Sequence, residues 1–237
     1  MGKRHIWTYP LTRIQKYQSL VFDCDGVLLD SNRIKTEAFR TVAAQFGTAP
    51  ADQLVRHHTQ NGGVSRYRKF EYLLTHILNR DAPPELVNRL SQEYGDCVER
   101  DLLNCAVAPG LEELREKTRH ATWMVASGGD QAQLRRVFAH RGLTQFFDGG
   151  IFGSPTPKDE ILLREIANGA IRHPALYIGD SRFDHIAARK ADMDFVFVHG
   201  WSEFAEWGVY SKEHGIPCVA DIVSLLTWSE RASISPL

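Results

Sequence analysis

Short apolar runs recur along the chain, and each is followed by a polar or glycine-containing turn. Segments with helical spacing of apolar positions separate these runs, which predicts alternating strands and helices. The predicted strands are residues 19–23, 121–126, 151–152, 175–178 and 195–198. The predicted helices are residues 31–46, 111–119, 130–140, 159–168 and 181–190. This alternation predicts an α/β core with a Rossmann-like parallel sheet and helices on both faces.

One long stretch breaks the alternation. Between residues 32 and 107 the pattern is polar and helical, with no convincing strand. Ser65 is a suitable N-cap for helical spacing over residues 65–74, and Pro83-Pro84-Glu85 suits the start of another helix. We therefore predict three parts: an N-terminal segment (1–18), a core (19–31 and 108–237) and an inserted all-helical cap domain (32–107).

Composition and charge narrow the class of protein. The 237 residues carry 28 basic and 29 acidic side chains, for a formal net charge of −1, and 43% are hydrophobic. This balance argues against binding to nucleic acid or to a membrane surface. The four cysteines show no Cys-x-x-Cys spacing, and residues 1–18 lack the apolar core of a signal peptide. We expect a cytoplasmic monomer or small homo-oligomer.

Two acids follow the first predicted strand. Asp23 and Asp25 are two residues apart and can project the same way, and Gly26 permits a sharp turn beyond them. Ligands bind at the carboxyl ends of strands in open α/β sheets. Two like charges this close favour a bound cation or a shared proton. An EF-hand is excluded because its sixth and twelfth positions would be Leu28 and Ile34 instead of glycine and glutamate.

Three further groups of polar residues each follow an apolar run. In chain order they are the Ser127-Gly128 turn, then Lys158, then the pair Asp180 and Asp184. Each has a purely structural interpretation: the serine and the acids as helix caps, the lysine as a solvated surface group. The order of all four motifs, including the first acid pair, is far more specific than any one of them.

In this order the motifs resemble those of the haloacid dehalogenase superfamily of hydrolases. The resemblance is to the branch with a helical C1-type cap that contains β-phosphoglucomutase and phosphoglycolate phosphatase. It extends from about residue 19 to about residue 220. It implies the same split architecture as the periodicity, with the cap inserted after the first motif.

The resemblance also implies residue roles. Asp23 is the expected nucleophile, forming an aspartyl-phosphate, and Asp25 the expected general acid and base. Lys158 is expected to neutralise phosphoryl charge and to hold Asp23. Ser127 is expected to bind a phosphoryl oxygen, helped by the Gly128 amide at a helix start.

The implied cofactor is Mg²⁺, a hard cation that prefers oxygen ligands. The expected ligands are Asp23, the backbone carbonyl of Asp25, and Asp180. Asp184 lies about one helical turn farther on and is expected either to ligate the ion or to orient its ligands.

In the cap, the Gly62-Gly63-Val64-Ser65-Arg66 segment resembles a loop that faces the active site in β-phosphoglucomutase-like proteins. Arg66 is therefore a candidate ligand for phosphate or carboxylate. Lys35 could reach the cleft, but a helix-surface position is the favoured interpretation, and packing is favoured for Trp201. A solvated polar face is the interpretation for His57, His58, Arg68 and Lys69.

Together these observations predict a Mg²⁺-dependent phosphatase acting on a small phosphorylated metabolite, a sugar or polyol phosphate. A phosphomutase is the first alternative. It is weakened because such mutases carry histidine at the position of Lys35, and because Asp130 would repel a second phosphate. A phosphate-binding regulatory protein without turnover is the second alternative, but such a protein would be expected to have lost Asp23 or Asp25.

Overall fold

The structure is a computed structural model that describes residues 13–228. Its strands are β1 (Ser19–Phe22), β2 (Thr122–Asp130), β3 (Ile151–Ser154), β4 (Ala175–Gly179), β5 (Asp194–Val198) and β6 (Cys218–Val219). Its α-helices are α1 (Asn32–Ala43), α2 (Thr48–Gln60), α3 (Arg66–Tyr72), α4 (Pro84–Leu102), α5 (Leu111–Lys117), α6 (Gln131–His140), α7 (Lys158–Ala167), α8 (Arg182–Lys190) and α9 (Trp207–His214).

The six strands form one parallel sheet in the order β3-β2-β1-β4-β5-β6. This confirms the predicted α/β fold class. Helices cover both faces, as a parallel sheet requires, because its strands are buried on both sides. Alternate residues of β1 accordingly enter different apolar clusters: Leu20 and Phe22 belong to one, and Val21 to the other.

Most predicted elements are present with bounds shifted by a few residues. The largest difference is β2, which continues to Asp130 where the Ser127-Gly128-Gly129 run had been interpreted as a turn. Asp130 still pairs with Ser154 of β3, after a register shift that follows Ala126. Among the strands and α-helices outside the helical insertion, α9 and the two-residue edge strand β6 were not predicted, because neither has a long periodic pattern; within the insertion no bounds were predicted for α2.

Between residues 32 and 102 the described elements are all helical. The rings of Phe39, Phe70 and Tyr94 join α1, α3 and α4, with a centroid distance of 4.4 Å between Phe39 and Tyr94. Ser65 caps α3 by accepting a hydrogen bond from the Arg68 amide, as predicted. The domain boundaries themselves stay a prediction.

Residues 1–12 of the predicted N-terminal segment, and residues 229–237 of the predicted core, lie outside the described residues. Ile14 and Tyr17, from the described part of that segment, are fully buried in the core, and the Tyr17 hydroxyl donates to Asp194 at 2.7 Å. No helix within residues 13–228 has both the length and the apolar character needed to cross a bilayer.

Candidate active site

The predicted catalytic acids meet at the carboxyl edge of the sheet. β1 and β4 are neighbours in register, so Asp23 after β1 and Asp180 after β4 lie side by side. Asp184, in the first turn of α8, completes the group. One carboxylate oxygen from each of the three lies within 4.8 Å of the others, and all three residues are buried.

Lys158, the first residue of α7, lies between two of these acids. Its Nζ is 2.9 Å from Asp23 Oδ2 and 2.5 Å from Asp184 Oδ1, and the side chain is 1% exposed. Burial disfavours the ammonium, but the two carboxylates outweigh it and raise the pKa of Lys158. Burial also raises the pKa of Asp23, and the charges of Asp184 and Asp25 add to this while Lys158 opposes it.

Asp184 is fully occupied by neighbouring donors. Its Oδ1 contacts Lys158 and the Tyr177 hydroxyl, at 2.5 and 3.2 Å. Its Oδ2 accepts from the amide and the hydroxyl of Ser181, at 3.1 and 2.7 Å, in a capping box at the start of α8. A carboxylate has about four lone-pair positions, so these four contacts use them all. This arrangement favours an orienting role for Asp184 over direct coordination of an ion.

The carboxylate of Asp180 accepts fewer hydrogen bonds than that of Asp184. Its Oδ2 accepts one hydrogen bond, from the Asn32 amide at 2.8 Å, and Asn32 also donates to the Trp201 carbonyl. Burial, followed by repulsion from Asp23 and Asp184, raises its pKa well above the ordinary value. A buried, mutually repelling set of carboxylate oxygens suits a hard divalent cation, so the residues fit Mg²⁺. Trp201 packs against the core, as interpreted from the sequence.

Asp25 is held by two side chains at the start of α1. Its Oδ1 accepts from the Ser31 hydroxyl at 2.6 Å, and its Oδ2 forms an ion pair with Lys35. Burial opposes ionisation of Asp25, but Lys35 and Ser31 outweigh it and lower its pKa. The favoured interpretation of Lys35 as a surface residue was therefore wrong. Since α1 begins just after Ser31, Lys35 lies one helical turn away and reaches the same carboxylate.

Ser127 and Gly128 lie within β2, not at a helix start, and Asp130 caps α6. Ser127 is fully buried, and its hydroxyl accepts from the Gly129 amide at 3.0 Å. Gly128 lies directly beneath the cap: a Cβ at this position would be 2.1 Å from the Gly63 carbonyl oxygen. The structure thus brings Gly128, one of the predicted phosphate-binding residues, into contact with the cap loop, residues 62–66.

The cap loop itself covers the acids. A Cβ on Gly63 would lie 3.1 Å from Ser181 Oγ and 3.3 Å from Lys158 Nζ. Arg66, the predicted substrate ligand, is 7% exposed and donates to the Ser91 carbonyl and to Gln133 Oε1, at 3.2 and 2.9 Å. Its guanidinium therefore links the cap to α6 of the core, although Arg66 also lines the cavity.

Two other cap residues were wrongly interpreted as solvated. Lys69 is 2% exposed and His58 is 9% exposed, and Lys69 Nζ lies 2.6 Å from His58 Nδ1. Both line the same cavity as the acids. Lys69 is one helical turn from Arg66 on α3, so helical periodicity could have predicted that the two side chains share a face. Nothing in the sequence indicated that Lys69 contacts α2.

The cavity enclosed by these groups has a volume of about 60 Å³. Its wall includes Asp23, Asp25 and Asp180 on the core side and His58, Lys69 and Tyr94 on the cap side. The cavity thus combines a buried carboxylate, a neighbouring lysine and a group of oxygens suited to a cation, all beneath a cap. The lysine and a bound cation can stabilise the negative charge that develops on a transferring anionic group.

Residues 20–198 match the family model described as haloacid dehalogenase-like hydrolase. The match confirms the resemblance identified from the motifs. The chain is 30% identical over 223 residues to a phosphoglycolate phosphatase from Rhodobacter capsulatus, covering 89% of this chain and 99% of that protein.

One further curated relative and one solved structure are also similar to the chain. A fructose-1-phosphate phosphatase from Escherichia coli strain K12 is 26% identical over 191 residues, covering 78% of this chain and 97% of that protein. Among solved structures, a β-phosphoglucomutase from Clostridium difficile aligns with a TM-score of 0.65 and 21% identity, over 86% of this chain and 91% of that chain. This last likeness concerns the fold.

Proposed function

The chain belongs to the haloacid dehalogenase-like hydrolase family, and from that membership we propose that it is a Mg²⁺-dependent phosphatase of small phosphorylated metabolites. The observation that carries the proposal is the buried group formed by Asp23, Asp180 and Asp184 with Lys158 between two of them. The names of the curated relatives support hydrolysis of a phosphate ester.

In the proposed reaction, a carboxylate oxygen of Asp23 attacks phosphorus and the ester oxygen leaves, giving an aspartyl-phosphate and an alcohol. Water then attacks the phosphoryl group, which releases inorganic phosphate and regenerates Asp23. Lys158, oriented by Asp184, stabilises the negative charge on the phosphoryl oxygens. Gly128 lines the cavity beneath the cap loop, and Ser127 precedes it in β2, which supports a phosphate-binding role for this segment.

Proton transfer falls to Asp25 together with Lys35, because the two side chains form one hydrogen-bonded pair. A leaving alkoxide is far more basic than either group, so the pair can give it a proton. Because Lys35 keeps Asp25 ionised, the proton that is given comes from Lys35, and the Asp25 carboxylate can then take a proton from the attacking water and return it to Lys35. This cycle leaves the protonation of the pair unchanged after each turnover.

Mg²⁺ is the proposed cofactor, held by Asp23, Asp180 and the backbone carbonyl of Asp25. When bound, the ion supplies positive charge that lets an anionic nucleophile approach an anionic phosphate. The four donors on Asp184 support an orienting role for that residue instead. The proposed substrates are sugar or polyol phosphates, and the name of the fructose-1-phosphate phosphatase relative supports this class.

The test is phosphate release from a panel of phosphorylated metabolites, with Mg²⁺ and with EDTA. We expect Asp23→Asn to lower kcat by about 10³-fold or more with retained folding, because it removes the nucleophile. Asp101→Asn, at an exposed carboxylate outside the cavity, is the matched control. Turnover that survives in Asp23→Asn, or is absent from wild type, contradicts the proposal. Interconversion of sugar phosphates without phosphate release would favour a mutase.

A further inference from the structure

Among the residues that the structure describes, Lys69 is a buried cation without a carboxylate partner. Lys35 and Lys158, the other lysines at the site, each form an ion pair with an aspartate. Within residues 13–228, the hydrogen-bond partner of the Lys69 ammonium is a histidine nitrogen, His58 Nδ1, and no carboxylate lies within ion-pair distance. Burying an ammonium without an anion is costly, so the position calls for an explanation.

His58 uses only part of the hydrogen-bonding capacity of Lys69. Burial, followed by the charges of Lys69 and Lys35, lowers the pKa of His58 well below its ordinary value, so the ring is neutral and Nδ1 accepts one hydrogen bond. An ammonium has three hydrogens, which leaves two on Lys69 without an oxygen or nitrogen acceptor in the described part of the chain; the one other contact of this kind is with the face of the Phe39 ring, whose centroid is 5.4 Å from Nζ. Burial and Lys35 lower the pKa of Lys69 to about 7.

Lys69, with its unused hydrogen-bonding capacity, lies on the wall of the proposed active site. Lys69 and His58 line the cap side of the cavity whose core side contains Asp23. Glu203 also lines it, but its carboxylate accepts from the Thr36 hydroxyl at 2.5 Å and forms no ion pair with Lys69. An acceptor from outside the protein can therefore reach Lys69 from the same cavity that would hold the scissile phosphate.

Arg66 is less suited to receive this acceptor. Its guanidinium already donates to the Ser91 carbonyl and to Gln133, and Asp130 lies 3.9 Å away. We propose, resting on the phosphatase function above, that Lys69 with His58 binds a second anionic group of the substrate, at the end remote from the scissile phosphate. Among sugar and polyol phosphates, this selects phosphorylated sugar acids or bisphosphates over neutral sugar phosphates.

The experiment measures inhibition constants against hydrolysis of p-nitrophenyl phosphate at pH 6.5 with Mg²⁺. One pair of inhibitors, 3-phosphoglycerate and glycerol 3-phosphate, differs by a carboxylate. A second pair, fructose 1,6-bisphosphate and fructose 1-phosphate, differs by a phosphate. We expect wild type to bind the doubly anionic member of at least one pair about 10- to 100-fold more tightly, the range for a hydrogen bond to a charged group. The pair that shows the preference identifies the anion.

The Lys69→Met variant keeps the length of the side chain and removes its charge, and we expect it to lose the preference. Arg68→Met, which removes an exposed charge one residue away on α3, is expected to keep it. Equal inhibition within both pairs by wild type overturns the inference and leaves the phosphatase function standing, even if Lys69→Met does not fold. A preference that persists in folded Lys69→Met also overturns it. Absence of hydrolysis both of p-nitrophenyl phosphate and of every member of the metabolite panel refutes the phosphatase function, and the inference with it.

Discussion

The cap loop lies very close to Gly128, and this contact can be used to test whether activity requires the cap loop to stay over the active site. In Gly128→Ala the new Cβ would lie 2.1 Å from the Gly63 carbonyl oxygen and 2.8 Å from its carbonyl carbon. An ordinary carbon–oxygen contact is about 3.3 Å, so the two backbones must separate by about 1.2 Å. Both contacted atoms belong to the main chain of Gly63, so neither can move aside as the end of a flexible side chain would.

The displaced loop covers the proposed catalytic groups. A Cβ on Gly63 would lie only 3.1 Å from Ser181 Oγ and 3.3 Å from Lys158 Nζ, so a shift of the loop by this amount opens the cavity beside Asp23. A misplacement of about 1 Å can cost about 100-fold in rate. We therefore expect kcat/KM of Gly128→Ala to fall by about 100-fold, with a loss of about 1–3 kcal/mol in the free energy of unfolding from overpacking.

The assay compares steady-state hydrolysis with urea denaturation for the same preparations. Gly208→Ala is the matched control, because a Cβ at this position of α9 would have no neighbour within 4 Å. We expect the control to keep its activity and to gain about 0.4–1 kcal/mol, since alanine reduces the freedom of the unfolded chain. Wild-type kcat/KM in folded Gly128→Ala would refute the reasoning that a closed cap loop is needed.

Two further predictions concern the charged groups. Saturating Mg²⁺, at about 100 times its Kd, is expected to raise Tm by roughly 5–10 °C in wild type and in Asp101→Asn but not in Asp180→Asn; equal shifts in all three would remove Asp180 from the cation site. The pKa of Lys69, about 7, lies below the value of about 10.4 in an unfolded chain, so between these pH values the folded protein binds fewer protons. The free energy of unfolding of wild type should therefore rise by roughly 1–3 kcal/mol relative to Lys69→Met between pH 7.5 and 9.5, measured with urea, and an unchanged difference refutes it. The charged and titratable groups that interact with Lys69 from neighbouring elements are Asp25, Lys35, His57, His58, Lys158 and Glu203.

Local pattern was enough to predict the core of this protein. Apolar runs followed by polar turns indicated a parallel sheet, and the carboxyl ends of neighbouring parallel strands meet at one edge. Asp23 and Asp180 therefore had to lie close together once β1 and β4 were neighbours. The helical insertion was equally visible, because residues 32–107 show helical spacing and no strand pattern.

Contacts between elements far apart in sequence were decided only by the tertiary structure. Helical periodicity identifies which residues share a face, but not which face of another element it will meet. Lys35 could be placed one turn after Ser31, yet its ion pair depends on how α1 lies against the loop that carries Asp25. The burial of Lys69 against His58 depends likewise on the packing of α3 on α2.

The sequence by itself thus determined the chemistry at the sheet edge, since side chains that follow successive strands are positioned by local backbone geometry. The tertiary structure decided how the cap closes over that edge and which cations it brings there. Cap closure depends on close packing between surfaces, such as Gly63 on Gly128, and a one-dimensional pattern carries no record of such a fit.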